Sequence, residues 1–285
     1  MILVSGGAGF IGSHLAEALL ARGERVQILD DFSSGRRENV PAAAEVVTES
    51  DADTVFHLAA TTSVAYSVDH PREVYENNVA LTVKRLAAGG LKRFIFAGST
   101  AVYGDAPAPV AEDAPCAPES PYAASKLAAE HYVRAFARSR GVATIALRLF
   151  NVYGPRQDPR SPYSGVVARF ADRLGRDGTL DVFGDGLQTR DFIHVSDVTA
   201  AFLRAADVCD GGVYNIGTGV GTSVLELAAA MGRAAGRTAK IAHRPARPGE
   251  IRHSRADVRR AREALGFEAT VSLEEGLRGL MVRQQ

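Results

Sequence analysis

The sequence has no excess of charge of either sign: 33 basic and 33 acidic side chains cancel over 285 residues. A chain so balanced offers no bulk attraction to nucleic acid or to an anionic membrane. An anionic ligand has to be met by a few placed arginines instead. Cysteine is nearly absent. Cys116 and Cys209 stand alone, fit neither a metal spacing nor a disulfide framework, and point to a reducing cytoplasm with no bound metal. The first apolar run, 1–4, meets Gly6 almost at once and is too short for a signal peptide. No later run reaches the roughly 18 apolar residues of a membrane span. There is no internal repeat and no low-complexity tract. What remains is 46% hydrophobic and 23% charged, the balance of a globular protein with a sizeable core.

Short apolar runs alternate with helical periodicity through the first half. Residues 1–4, 25–29, 54–58, 93–97 and 144–149 read as strands, and 11–22, 71–88 and 120–140 as helices. This alternation implies a doubly wound parallel α/β sheet covered on both faces. Between Asp30 and Thr54 the chain is thin: Val46 and Val47 form a strand candidate, with little room for a full helix before Thr54. The proline-rich stretches 107–121 and 155–162 read as loops. Beyond Asn151 the alternation becomes irregular, and 191–206, strand then helix, is expected to return to the sheet. The expected organisation is a first domain over 1–150, rejoined by roughly 186–217. A smaller C-terminal substrate-binding domain is expected over 151–185 and 218–285. A ligand between them would sit at the carboxyl ends of the strands.

Gly6, Gly9 and Gly12 form GxxGxxG within GGAGFIG, directly after a strand and opening a helix. Glycines let the turn close and the backbone approach a pyrophosphate, while the helix N-terminus offers unpaired N–H groups to that anion. Alone, the triplet also fits a plain tight turn. Asp30 closes the second strand 18 residues after Gly12, near the roughly 20 expected for a carboxylate on the adenosine ribose of a Rossmann-type site. Such a carboxylate repels a 2′-phosphate and favours NAD over NADP. Arg36 and Arg37 argue the other way, and both pairs, Asp30–Asp31 and Arg36–Arg37, also read as solvated turns.

Tyr122 and Lys126 lie four apart on a predicted helix and share one face. Tyrosine titrates near 10, too high for a base at neutral pH. A nearby ammonium, or the positive nicotinamide of an oxidised cofactor, is expected to lower that value. By itself the pair also fits an aromatic ring packed on a lysine stem. Ser99 and Thr100 follow the strand candidate 93–97, where a parallel sheet presents reactive groups. A hydroxyl there can relay a substrate proton to Tyr122, or simply cap a strand end.

Glycine turn, ribose carboxylate, strand-end hydroxyl and Tyr-xxx-Lys occur in this order. They run on through GGAGFIG, DDFSSGRREN, FHLAA, GSTAVYG, PYAASK, LFNVYGPRQDP, GDGLQTRDFIHVSDV, YNIGTG and RPGEIRHSRAD. The ordered set resembles the extended short-chain dehydrogenases/reductases over nearly the whole chain. Within them it resembles the NAD-dependent sugar epimerase/dehydratase family and its UDP-galactose 4-epimerase branch. The resemblance implies that Ser99 is the catalytic hydroxyl, Tyr122 the base and Lys126 its partner, which can also hold the cofactor ribose. It places Gly6, Gly9, Phe10, Ile11 and Gly12 at the pyrophosphate, and Asp30 with Asp31 at the adenosine ribose. Ser33, Ser34 and Gly35 fall on the adenine-side loop. Leu58, Ala59 and Ala60 form the wall beneath the NAD, with Asn78 behind it, and Phe150 lies near the nicotinamide. On the substrate side it implies Asn151, Phe183 near the base, Arg190 and Arg247 on the diphosphate, and Glu250 at the nucleoside end. Guanidinium forks suit phosphate oxygens. Arg255, Arg259, Arg260 and Arg262 read as a solvated helix face.

The implied reaction is 4-epimerisation of a UDP-hexose. Tyr122, relayed through Ser99, takes the 4-hydroxyl proton, hydride passes to NAD, and the 4-keto sugar turns before hydride returns to its other face. Related dehydratases carry an Asp-Glu pair where this chain has Thr100 and Ala101, and decarboxylases a glutamate at Ala101, so both reactions are disfavoured. Ser254, seven residues after Arg247, is small where a bulky residue narrows the sugar pocket, which implies that N-acetylhexosamines are also accepted. The chain departs from the family at 40–53. No clear counterpart of the adenine-binding aspartate is present, although Glu49, Asp51 and Asp53 are near, which implies an open adenine pocket and easier cofactor exchange. A sugar-acid epimerase or a reductase is the alternative enzyme. A cofactor-sensing scaffold without chemistry is the alternative of another class, and the Tyr-Lys pair speaks against it. The family commonly forms homodimers through a four-helix bundle, here from 71–88 and 120–140, although either helix could instead cover the sheet.

Overall fold

The computed structural model describes residues 1–159, 165–176, 178–246 and 251–282. β1 (Ile2–Ser5) is buried along its whole length, because a strand with neighbours on both sides and helices on both faces has no solvent side. β2 (Val26–Leu29) pairs with it on one side and carries the short edge strand β3 (Glu45–Val46). On its other side lie β4 (Thr54–His57), β5 (Arg93–Ser99) and β6 (Ala143–Leu149) in turn. The chain continues through β7 (Asn151–Tyr153), β8 (Leu180–Phe183), β9 (Thr189–Arg190) and β10 (Phe192–His194). β11 (Val213–Ile216), β12 (Thr222–Ser223) and β13 (Ile241–Arg244) complete the strands. β11 takes the far edge against β6, giving one parallel sheet in the order β11-β6-β5-β4-β1-β2-β3. β7 with β10, β9 with β12 and β8 with β13 form two-stranded sheets.

The helices are α1 (Phe10–Ala21), α2 (Val64–Asp69), α3 (Pro71–Tyr75), α4 (Leu81–Leu86), α5 (Pro121–Arg140), α6 (Val166–Gly175), α7 (Val195–Val208), α8 (Val224–Ala234), α9 (Arg259–Leu265) and α10 (Leu273–Val282). α1 and α7 cover one face of the main sheet over Val4, Ile28, Phe56 and Ile145. α4 and α5 cover the other over Val55, Phe94, Phe96 and Ala146. A separate apolar core of Phe170, Leu180, Leu227, Met231 and Leu277 joins α6, α8 and α10 to β8. After β1 the chain winds out to β2 and β3, then crosses to β4 on the opposite side. The loops diverge there and open a crevice at the carboxyl ends of the strands. Among the described residues no helix is long and apolar enough to cross a membrane.

Three local expectations change. The fifth strand runs on through Ser99, because its pairing with β6 continues to Ser99↔Leu149, so Ser99 is its last residue and Thr100 opens a 3₁₀ turn, Thr100–Tyr103. The helix expected over 71–88 is α3 and α4 joined by a π-helical turn, Glu76–Ala80, and α4 ends at Leu86. α2 precedes it, capped by Ser63 Oγ accepting the Tyr66 N–H, and Pro71 separates it from α3. The thin segment holds one 3₁₀ turn, Arg37–Asn39, and β3 sits one residue earlier than Val46–Val47.

Candidate active site

The glycine turn is a cradle that side chains would fill. Gly6 has φ +81°, and a Cβ there would lie 2.6 Å from the Ala59 nitrogen; at Gly12 it would lie 2.1 Å from the Gly6 carbonyl. Either contact would force the turn open. α1 begins at Phe10 behind Gly9, with no capping side chain and no acidic residue in its first turn. Its leading N–H groups and positive end therefore suit a pyrophosphate. Ile11 packs against the sheet core, while the Leu58 and Ala59 N–H groups both donate to the Ser5 carbonyl, at 2.8 and 2.9 Å, and bring the 58–60 wall, Ala60 included, beside the turn.

The Asp30 carboxylate accepts the N–H groups of Ala8 and Phe32, each at 2.9 Å, and so fixes the glycine turn to the loop after β2. Gly35 packs so closely that its Cβ would fall 2.6 Å from an Asp30 oxygen. Asp31 is exposed and forms a local turn with the N–H and hydroxyl of Ser33, which hold its carboxyl below the usual range. Ser34 is exposed beside it. The two arginines that argued for NADP have partners: Arg36 pairs with Asp158 and Glu38, and Arg37 lies 4.2 Å over the Phe32 ring. Of the acids near the shortened segment, Asp53 faces the amino ends of the strands, where it binds Lys92 Nζ at 3.2 Å and the N-terminus.

At the carboxyl end of β5, the Ser99 hydroxyl neighbours the Tyr122 phenol and accepts the Ala101 N–H at 3.2 Å. Lys126 is buried one turn along α5, with Nζ 4.8 Å over the Phe96 ring. The expected lowering of the tyrosine is reversed here. Burial pushes the Tyr122 phenol up, against the opposing pull of the neighbouring Ser99 hydroxyl, and the same burial pulls Lys126 down to about 8. Both groups lose more to desolvation than either gains from a partner.

Asn78 occupies the π-helical turn, a form enriched at functional sites. Its side chain accepts the Thr61 N–H at 2.7 Å and donates to Thr61 O and Ser125 Oγ, both at 2.9 Å; Ser125 Oγ then donates to the Tyr122 carbonyl. Thr82 Oγ1 donates to Asn78 O and so accepts from His57 Nε2, at 3.0 Å. This chain of bonds locks the helix carrying Tyr122 and Lys126 to the end of β4. His57 stays neutral, pulled down to about 3 by burial and by the Lys126 and Arg85 charges.

A cavity of about 250 Å³ opens beside Ser99, lined by Thr100, Ala101, Leu149, Phe150, Asn151, Arg190, Ile251 and Ser254. It gathers five of the expected substrate or cofactor residues: Ser99, Phe150, Asn151, Arg190 and Ser254. Phe183 lies on β8 outside that lining, and Arg247 and Glu250 fall outside the described residues. Leu149 and Ile251 carry no chemical signal, so sequence reasoning missed them. Asp191, fully buried, accepts N–H groups from Thr218, Gly219 and Ala256 and so ties the Arg190 strand to the Ser254 segment.

A second missed group lies behind the catalytic helix. Arg148 forms a two-pronged pair with Glu130, at 2.9 and 2.7 Å, and both are buried. The guanidinium also lies 4.7 Å from the centre of the Tyr103 ring, whose hydroxyl donates to Asn215 at 2.7 Å. Burial alone would lower Arg148, but the Glu130 carboxylate outweighs it and raises it. The signal was available: an arginine inside the apolar run ATIALRLF, and a glutamate four residues after Lys126.

Residues 2–217 match the model of the NAD dependent epimerase/dehydratase family. The chain is 42% identical to a UDP-glucose 4-epimerase of Mycolicibacterium smegmatis, over 96% of this chain and 95% of that one. Among solved structures it is similar to the UDP-glucose 4-epimerase of Thermotoga maritima with UDP-glucose, at TM-score 0.94 and 39% identity, covering 99% and 98% of the two chains. It is also similar to the UDP-N-acetylglucosamine 4-epimerase of Methanobrevibacter ruminantium in complex with UDP-N-acetylmuramic acid, at TM-score 0.95 and 34% identity, over 100% and 98%.

Proposed function

The chain belongs to the NAD dependent epimerase/dehydratase family, and from that premise we propose that it interconverts UDP-glucose and UDP-galactose at C4, and UDP-GlcNAc with UDP-GalNAc. The observation that carries the reading is the cavity at the carboxyl end of β5, where Ser99, the neighbour of Tyr122, meets Asn151, Arg190 and Ser254. What NAD supplies when bound over the glycine turn is a reversible hydride acceptor for the sugar C4, and its positive ring favours the Tyr122 phenolate. Ser99 orients the 4-hydroxyl and passes its proton to Tyr122; the same path returns it after the sugar has turned. Lys126 stands one turn from Tyr122 on the same helix and would hold the cofactor ribose hydroxyls, the positive nicotinamide being what draws the phenol toward its anion.

Arg190, together with Arg247, grips the diphosphate, so the sugar can rotate without leaving. Phe150 would face the nicotinamide end and Asn151 would touch the sugar, both lining the cavity beside Ser99. Ser254 leaves room for an acetamido group. Thr100 and Ala101 offer no acid or base for eliminating water, and Ala101 offers none for losing a carboxylate. The enzyme works in the cytoplasm as a homodimer. Exposed Val64, Val68, Tyr75 and Tyr132 on α2, α3 and α5 support a bundle of these helices with a second copy, and a single 30.2 kDa species in sedimentation would remove that part.

The deciding experiment incubates the protein with a panel of UDP- and TDP-sugars plus NAD and resolves the products by chromatography. Epimers at C4 with no net NADH are expected. A reduced, dehydrated or decarboxylated product, or none at all, removes the reading.

A further inference from the structure

Arg36 and Asp158, 122 residues apart in the chain, meet beside the cofactor cradle. Arg36 is fixed next to the glycine turn by its own backbone, whose N–H donates to the Ala8 carbonyl at 3.0 Å. Its neighbour Gly35 packs against the Asp30 carboxylate. Asp158 comes from the loop after β7, and that loop is tied along α1. His14 Nε2 donates to the Pro155 carbonyl at 3.0 Å, and Arg156 donates to Ser13 Oγ at 3.1 Å and pairs with Glu17. These anchors run past the first turn of α1, so the Arg36–Asp158 pair lies at the rim of the same cradle.

A guanidinium next to the ribose carboxylate is the group with which dinucleotide sites receive a 2′-phosphate. Arg36 stands in that place but is held by a carboxylate. Glu38 also reaches it at 3.2 Å, yet Glu38 is 72% exposed and Asp158 only 31%, so Asp158 is the less screened partner. We propose that Asp158 makes the site selective for NAD over NADP, by holding the Arg36 guanidinium in an ion pair at the rim of the cradle and away from a 2′-phosphate. Asp30 still repels that phosphate by charge, so Asp158 adds to a preference that Asp30 sets. The inference rests on reading the glycine turn and Asp30 as a dinucleotide cradle.

The test uses the full chain as wild type, Asp158→Asn, Arg36→Gln and the double variant. Each is equilibrated with labelled NAD and NADP together, bound nucleotide is separated and counted, and thermal melting checks folding. Asp158→Asn should raise the bound NADP-to-NAD ratio about tenfold, the scale of one charge-assisted hydrogen bond. Arg36→Gln alone should leave the ratio unchanged, because a sequestered arginine contributes nothing to lose, and in the double variant it should cancel the gain. An unchanged ratio in Asp158→Asn, or a gain that survives in the double variant, overturns the proposal while leaving the cradle intact. A wild type that binds neither nucleotide overturns the cradle reading and the proposal with it.

Discussion

Lys126→Met should make this protein more stable and inactive. Lys126 is 4% exposed, and burial pulls it from 10.5 to about 8. At about 1.4 kcal/mol per pH unit, that gap corresponds to about 3 kcal/mol spent on keeping an ammonium in a dry site at pH 7. Methionine keeps the stem volume, and its sulfur contact with Phe96, about 0.3–1.5 kcal/mol, replaces most of the lost cation–π attraction. The sign follows from linkage. Below pH 8 both folded and unfolded lysine are protonated, and the whole penalty weighs on the wild type. Between 8 and 10.5 the unfolded chain binds the extra proton, so wild-type stability rises with pH. Above 10.5 both states are neutral and the penalty is gone. Unfolding free energies of the two nucleotide-stripped proteins from urea titration should therefore favour the variant at pH 7 by about 2–3 kcal/mol, equivalent to roughly 3–5 °C in melting temperature for a chain of 285 residues, and converge toward pH 10.5. Removing nucleotide first matters, since cofactor that binds through the lysine would stabilise only the wild type. An equal or lower midpoint for the variant at pH 7, or an advantage undiminished at pH 10.5, would falsify the assignment of burial as the dominant force on Lys126.

Glu130→Ala leaves the Arg148 guanidinium buried without its two-pronged partner and should cost about 3–5 kcal/mol in denaturant unfolding; a loss below about 1 kcal/mol, the scale of an exposed pair, would show that water reaches the site. Ser254→Tyr should narrow the cavity beside Ser99 and Arg190, abolishing turnover of UDP-GlcNAc and UDP-GalNAc while sparing the pair without acetamido groups. Equal acetamido-sugar turnover in both enzymes would remove Ser254 from the specificity argument.

Local periodicity and spacing carried much of this protein. The alternation of apolar runs and amphipathic segments determined a parallel α/β sheet, because a strand buried on both faces and a helix buried on one leave different signatures in the chain. Gly6 and Gly12 were legible for a similar reason: only a residue without a side chain fits where the Ala59 nitrogen and the Gly6 carbonyl come so close. The Tyr122–Lys126 pair was legible because four residues make one helical turn. Element ends were less so. β5 extends to Ser99 because its partner β6 continues alongside, and that pairing joins residues about fifty positions apart.

Tertiary structure alone decided the charge states and the long-range partners. Nothing within a few residues of Tyr122 announces that burial outweighs its neighbours and raises the phenol; desolvation depends on everything packed around a group, whatever its distance in sequence. Arg36 reads as a free arginine beside Asp30 until the chain returns 122 residues later with Asp158. Arg148 and Glu130 likewise show their purpose only when β6 and α5 are packed together. The sequence by itself determined which groups stand on which element. The packing of those elements decided which groups meet, and how much water remains to weaken their interaction.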